Sequence, residues 1–150
     1  MKKIILPALL IISIGLFSSC AKKTSSPANN NPTAALSANI AGTSWSANTT
    51  TATANSVTIT IKGTATDGSY IQLSLAPTVT PGTYSFSQSG NYTCQYNTGV
   101  ASYLVTTGSI VVTKYTKNSI ITGTFSCTVA DAANSSNTKS VTQGSFTGLF

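Results

Sequence analysis

From residue 36 onward, apolar and polar residues alternate, and no stretch carries a helical period. "SVTITIKGT" places Val57, Ile59 and Ile61 on one face and Ser56, Thr58, Thr60 and Lys62 on the other. "YIQLSLA" turns Ile71, Leu73 and Leu75 inward. Between these two runs, "GTATDGS" carries Asp67-Gly68, a hairpin signal. "PGTYSFSQ" opens on a Pro-Gly turn and sets Tyr84 and Phe86 among serines, and "NYTCQYN" alternates Tyr92, Cys94 and Tyr96. "GSIVVTKYT" reads as a strand with two candidate inward faces, Ile110/Val112 or Val111/Tyr115. "SIITGTFSCTVA" aligns Ile121, Phe125, Cys127 and Val129, with Gly123 marking a bulge or kink. Alternation with one polar face is the pattern of antiparallel sheets. It predicts an all-β meander of about eight to ten short strands, closed as a sandwich or a flattened, lipocalin-like barrel.

Before residue 36 the pattern changes. Lys2 and Lys3 precede an apolar run from Ile4 to Phe17, which reads as a secretory signal peptide. A permanent transmembrane helix needs about 20 apolar residues, more than this run supplies. The run ends in "LFSSC", which resembles the lipobox of bacterial lipoproteins. In that family the cysteine after the cleavage point is thioether-linked to a diacylglycerol and becomes the new N-terminus. Ser18 and Ser19 match the small residues expected there, and Phe17 stands where leucine is usual. The resemblance implies lipidation at Cys20. One acyl chain holds a protein to a membrane only marginally, whereas two or more hold it stably. Ala21 follows the cysteine, in place of the aspartate that retains some lipoproteins in the inner membrane. Lys22 and Lys23 stand where an acidic surface-export tract would be. The implied address is the outer membrane of a cell envelope, on either side. Residues 21–35 are rich in Ser, Asn, Pro and Ala and read as a flexible tether. The expected organisation is a signal peptide over 1–19, a lipidated cysteine and tether over 20–35, and one domain over 36–150.

Charge narrows the chemistry. The whole chain holds eight basic and two acidic residues and no histidine. After the signal peptide the cations are Lys22, Lys23, Lys62, Lys114, Lys117 and Lys139, and the acids are Asp67 and Asp131. A scattered set of lysines without arginine does not form a nucleic-acid footprint. Without histidine there is no imidazole base or imidazole metal ligand. Both aspartates lie in turn-like stretches, "TDGS" and "ADAANSSN", so a paired-carboxylate site is not expected. A serine–lysine nucleophile has the residue types but no motif. No catalytic residue, metal or cofactor is therefore expected.

Three cysteines become an even pair once Cys20 is lipidated. Cys94 and Cys127 each fall on the apolar face of a strand, and an exported domain permits a disulfide between them. The other reading is two buried thiols. Trp45, the sole tryptophan, either packs on the core or offers its face to a sugar ring. Tyr92, Tyr96 and Tyr103 either edge the core with their hydroxyls in water or line a groove.

"SANIAGTSWSA", residues 37–47, resembles the opening of a family of small Bacteroidota lipoproteins of unknown function. These begin their domain with an Asn-Ile/Gly/Trp hairpin just after the anchor. "PGTYSF", "GSIVVTKY", "ITGTFSCTV" and "TQGSFTGLF" fit the same family. The resemblance implies an all-β fold and transfers no functional residue. The reading of the whole is a lipid-anchored envelope protein with a non-catalytic binding or structural role. Its membrane contact runs through the N-terminal lipid, and its partner is a glycan or another envelope protein. The alternatives are a lipocalin-like carrier of a small apolar ligand and, behind it, a serine-dependent enzyme.

Overall fold

The computed structural model describes residues 31–150, which form ten strands and no helix. The signal peptide, Cys20 and most of the tether lie outside the described residues. The strands are β1 (Ala35–Ile40), β2 (Thr43–Ser46), β3 (Thr49–Ala54), β4 (Ile59–Thr64) and β5 (Tyr70–Leu75). They continue with β6 (Gly82–Ser85), β7 (Thr93–Asn97), β8 (Ser102–Thr116), β9 (Ile120–Asp131) and β10 (Thr138–Leu149). All belong to one antiparallel sheet in the order β2-β1-β10-β9-β8-β7-β5-β4-β3, with β6 paired to the far half of β8. Most neighbours are consecutive in the chain, as a meander requires, and β1 beside β10 is the long-range exception.

The sheet curls into a half-barrel. Its two edges, β2 and β3, are consecutive in the chain and separated only by Ala47 and Asn48. The Ala47 N–H donates to Leu36 O at 2.9 Å on β1, and the Asn48 N–H donates to Thr64 O at 2.8 Å on β4. One bent run of chain thus pairs with both ends of the sheet. Two glycines allow the layers to meet there. A Cβ on Gly63 would come within 2.8 Å of Ala47 Cβ, and one on Gly148 within 2.8 Å of Ala52 Cβ.

The interior is filled by the residues the alternation turned inward. Ile59, Ile61, Ile71, Leu73, Leu75 and Ile110 are fully buried, with Phe125, Val129, Val141 and Phe146 among them. Val57 is a correction: it is 78 % exposed, in the β3–β4 turn, where its N–H donates to Asn55 Oδ1. The structure takes Ile110 and Val112 from one candidate face of "GSIVVTKYT" and Tyr115 from the other, while Val111 stays out of the core. Ile110 and Val112 point inward, a β-bulge then adds one residue at Thr113, and the parity flips so that Tyr115 faces Ile121 and packs on the core. The irregularity expected at Gly123 is thus carried by the strand opposite it, while Gly123 itself leaves room for the Phe146 ring.

The antiparallel register sorts the turns to two ends. The β1–β2, β4–β5, β7–β8 and β9–β10 turns lie at one end. The β3–β4, β5–β6 and β8–β9 turns lie at the other, where β1 begins and β10 finishes.

A candidate binding cleft at one end of the sheet

At the first of these ends an open cleft of about 360 Å³ is lined by Ile40, Thr43, Trp45, Asp67, Tyr96 and Lys139, among others. Its shape begins in two turns. Ala41 and Gly42 both have positive φ, 49° and 84°, the geometry of a two-residue primed hairpin that swings β2 back along β1. Trp45 then stands on β2 opposite Ala38. In the β4–β5 turn, Gly68 has φ 82° and Asp67 caps the loop, its Oδ1 accepting from Ser69 N at 2.9 Å.

These turns are joined by a relay. Trp45 Nε1 donates to Ser69 Oγ at 2.8 Å, and Ser69 Oγ donates to Asp67 Oδ1 at 2.6 Å. Ser69 is 2 % exposed, the buried polar side chain among the described residues. The indole is therefore held by a polar partner as well as by packing. Both bonds to Asp67 fall on Oδ1, so Oδ2 has no donor among the described residues. The Ser69 hydroxyl, and next its N–H, hold the Asp67 carboxyl below its ordinary value. The carboxylate is thus charged at neutral pH and free to accept from a ligand.

Tyr96 forms the neighbouring wall. Its ring stacks on Tyr103 at 5.8 Å between centroids. Burial, and next the charge of Asp67, push the Tyr96 phenol up, so it keeps its proton. Lys139 Nζ lies 5.1 Å from the centroid of the Tyr103 ring, a cation–π contact that holds the ammonium over the stack. Tyr103 itself is buried, and its hydroxyl accepts from Asn137 Nδ2 at 3.2 Å.

The four aromatic residues singled out from the sequence therefore separate. Trp45 and Tyr96 line one cleft, Tyr103 supports it from beneath, and Tyr92 lies elsewhere, stacked on Tyr84 at 4.3 Å. Sequence reasoning passed over Asp67, Ser69 and Lys139 as cleft residues. The Asp-Gly turn was visible, but its bond to a tryptophan 24 residues earlier is made by the curl of the sheet. Asp131 is tied into its own turn by Ala133 N at 2.9 Å and Asn137 Nδ2 at 3.3 Å. Among the described residues no three His, Cys, Asp or Glu side chains gather as a metal would need. Cys94 on β7 and Cys127 on β9 are both buried and carry free thiols. The neighbouring Cys127 thiol, and next burial, push the Cys94 thiol well up.

Comparison with known families finds a match, described as a domain of unknown function (DUF6252), over residues 32–149. No curated protein and no solved structure matches the chain.

Proposed function

We propose that this protein, which belongs to the DUF6252 family, is a lipid-anchored, non-catalytic binding module of the cell envelope that takes a sugar ring of a glycan in the Trp45 cleft. The observation that carries this reading is the relay from Trp45 through Ser69 to Asp67. It fixes an aromatic face beside a charged acceptor with a free oxygen. A pyranose needs both: an apolar face to lie on its C–H groups and a carboxylate to accept from its hydroxyls. Lys139 and the hydroxyl of Thr43 add donors at the rim, and Ile40 supplies apolar lining. The volume falls within the range of small-molecule sites.

Lipidation at Cys20 and an outer-membrane address belong to the same proposal and rest on the lipobox-like "LFSSC". The non-catalytic part is supported by the engagement of both carboxylates in their own turns. The carrier alternative needs space inside the sheet, and that interior is occupied by a continuous cluster of apolar side chains.

Trp45 is the sole tryptophan, so intrinsic fluorescence reports directly from the cleft. Titration with hexose and N-acetylhexosamine oligosaccharides should give a saturable change in emission for at least one of them. Asp67→Ala should weaken that ligand about tenfold. Flat titrations across the panel would refute the glycan reading.

A further inference from the structure

The end of the sheet opposite the Trp45 cleft has its own character. β1 begins there, at Ala35 opposite Thr147, so the segment that carries Cys20 joins the domain at this end. Phe150 is held there as well, its N–H donating to Ser119 O at 3.1 Å. The β3–β4 and β8–β9 turns stand side by side around an open cleft of about 470 Å³, lined by Asn55, Ser56, Pro77, Tyr115 and Lys117 among others. Val57 projects from the first turn, 78 % exposed, on a loop ordered by two hydrogen bonds to Asn55 Oδ1.

Charge is sorted between the two ends. Asp67 and Asp131 both sit at the Trp45 cleft end, with Lys139 beside them and Lys62 resting on the Tyr70 ring at 4.0 Å. Lys114 and Lys117 sit near the other end, where no aspartate lies.

We infer that the end bearing Val57, Lys114 and Lys117 docks on the anionic lipid of the membrane that holds the anchor. The inference rests on the lipid anchor proposed above. An exposed apolar residue on an ordered turn, basic side chains around it and a tether joining at the same end are what an anionic bilayer surface recognises. The domain then stands on its turns, and the Trp45 cleft faces away from the bilayer. Its ligand is met in the space beyond the membrane, not among the headgroups beneath.

The test uses the lipidated chain reconstituted in vesicles of phosphatidylcholine and phosphatidylglycerol with brominated acyl chains, which quench nearby tryptophan. Wild-type Trp45 reports from the cleft end. In a Trp45→Phe background, Val57→Trp reports from the docking end and Val100→Trp from the β7–β8 turn at the cleft end. Both valines are exposed, at 78 % and 96 %, so either reporter is accommodated without repacking. Docking predicts that the Val57→Trp reporter loses most of its emission while Trp45 and Val100→Trp keep theirs. Combining Val57→Trp with Lys114→Gln and Lys117→Gln, or using phosphatidylcholine alone, should lower its quenching to that of Val100→Trp. Equal quenching of the two reporters overturns the docking, as does quenching of Val57→Trp that ignores both changes of charge. A chain that fails to sediment with vesicles at all overturns instead the anchor on which the docking rests.

Discussion

At the scale of single residues, the Asp67 carboxylate and the two buried thiols give the sharpest expectations. Asp67 titrates below its ordinary value of 3.8 because Ser69 donates to it twice. A depressed carboxylate contributes stability that is fully present above its unfolded value and lost as pH falls through the folded one. Ser69 also receives the Trp45 N–H, so tryptophan emission should hold steady from neutral pH down to about pH 4 and shift only below it. Asp67→Asn should remove that acid transition, and a midpoint above about pH 4.5 would contradict the assignment. Cys94 and Cys127 make a different expectation. As thiols they are buried, and Cys94 in particular ionises only with difficulty. We expect them to be joined when the domain folds in an oxidising compartment. A bridge closing this loop would stabilise the fold by about 4 kcal/mol in the chain-entropy view. Non-reducing peptide maps should show one linked pair; two thiols that alkylate on unfolding without reductant would refute it.

At the scale of elements, the bulges explain where alternation was and was not readable. Ile71, Leu73 and Leu75 lie in a regular strand, and their inward face was evident. β8 was ambiguous because two bulges, at Thr106 and Thr113, reset its parity twice. Alternation has no letter for an extra residue, so a strand of mixed parity reads as two weak ones. Both extra residues are threonines, and each hydroxyl donates across to β9: Thr106 to Thr128 O and Thr113 to Thr122 O, both at 3.1 Å. Part of the threonine in this chain thus serves to seal the places where the ladder is interrupted. Thr113→Val should cost about 0.5–1.5 kcal/mol in urea unfolding, the worth of a lost hydrogen bond. Deleting Thr113 should leave Tyr115 inward and opposite Ile121, because it restores the regular alternation that starts from Val112.

At the scale of the whole molecule, the curl decides what sequence could not show. The number of strands and their meander follow from local alternation and turn residues. The cleft does not, since Trp45, Asp67, Tyr96 and Lys139 belong to four different strands or turns and meet only because the sheet bends. The bend depends on close approach at Gly63 and Gly148. Gly63→Ala or Gly148→Ala should lower stability by about 1–3 kcal/mol, the usual cost of forcing a side chain into a filled interior. Gly63→Ala should also disturb Trp45 emission, because Ala47 beside the added methyl group is two residues from the indole.

The joint at Ala47 and Asn48 has one more consequence. A row of unpaired N–H and C=O groups along a strand invites another chain to pair with it, which is how many β proteins aggregate. Here the strands at the two margins are short, and each is the continuation of the other, so neither can peel away without pulling on its sister. Asn48→Pro would delete the N–H that reaches Thr64 and loosen both margins together. Such a variant should scatter light increasingly with protein concentration, while the parent stays dispersed. The lipid anchor proposed above would confine copies to two dimensions, where margins that do not stick matter most.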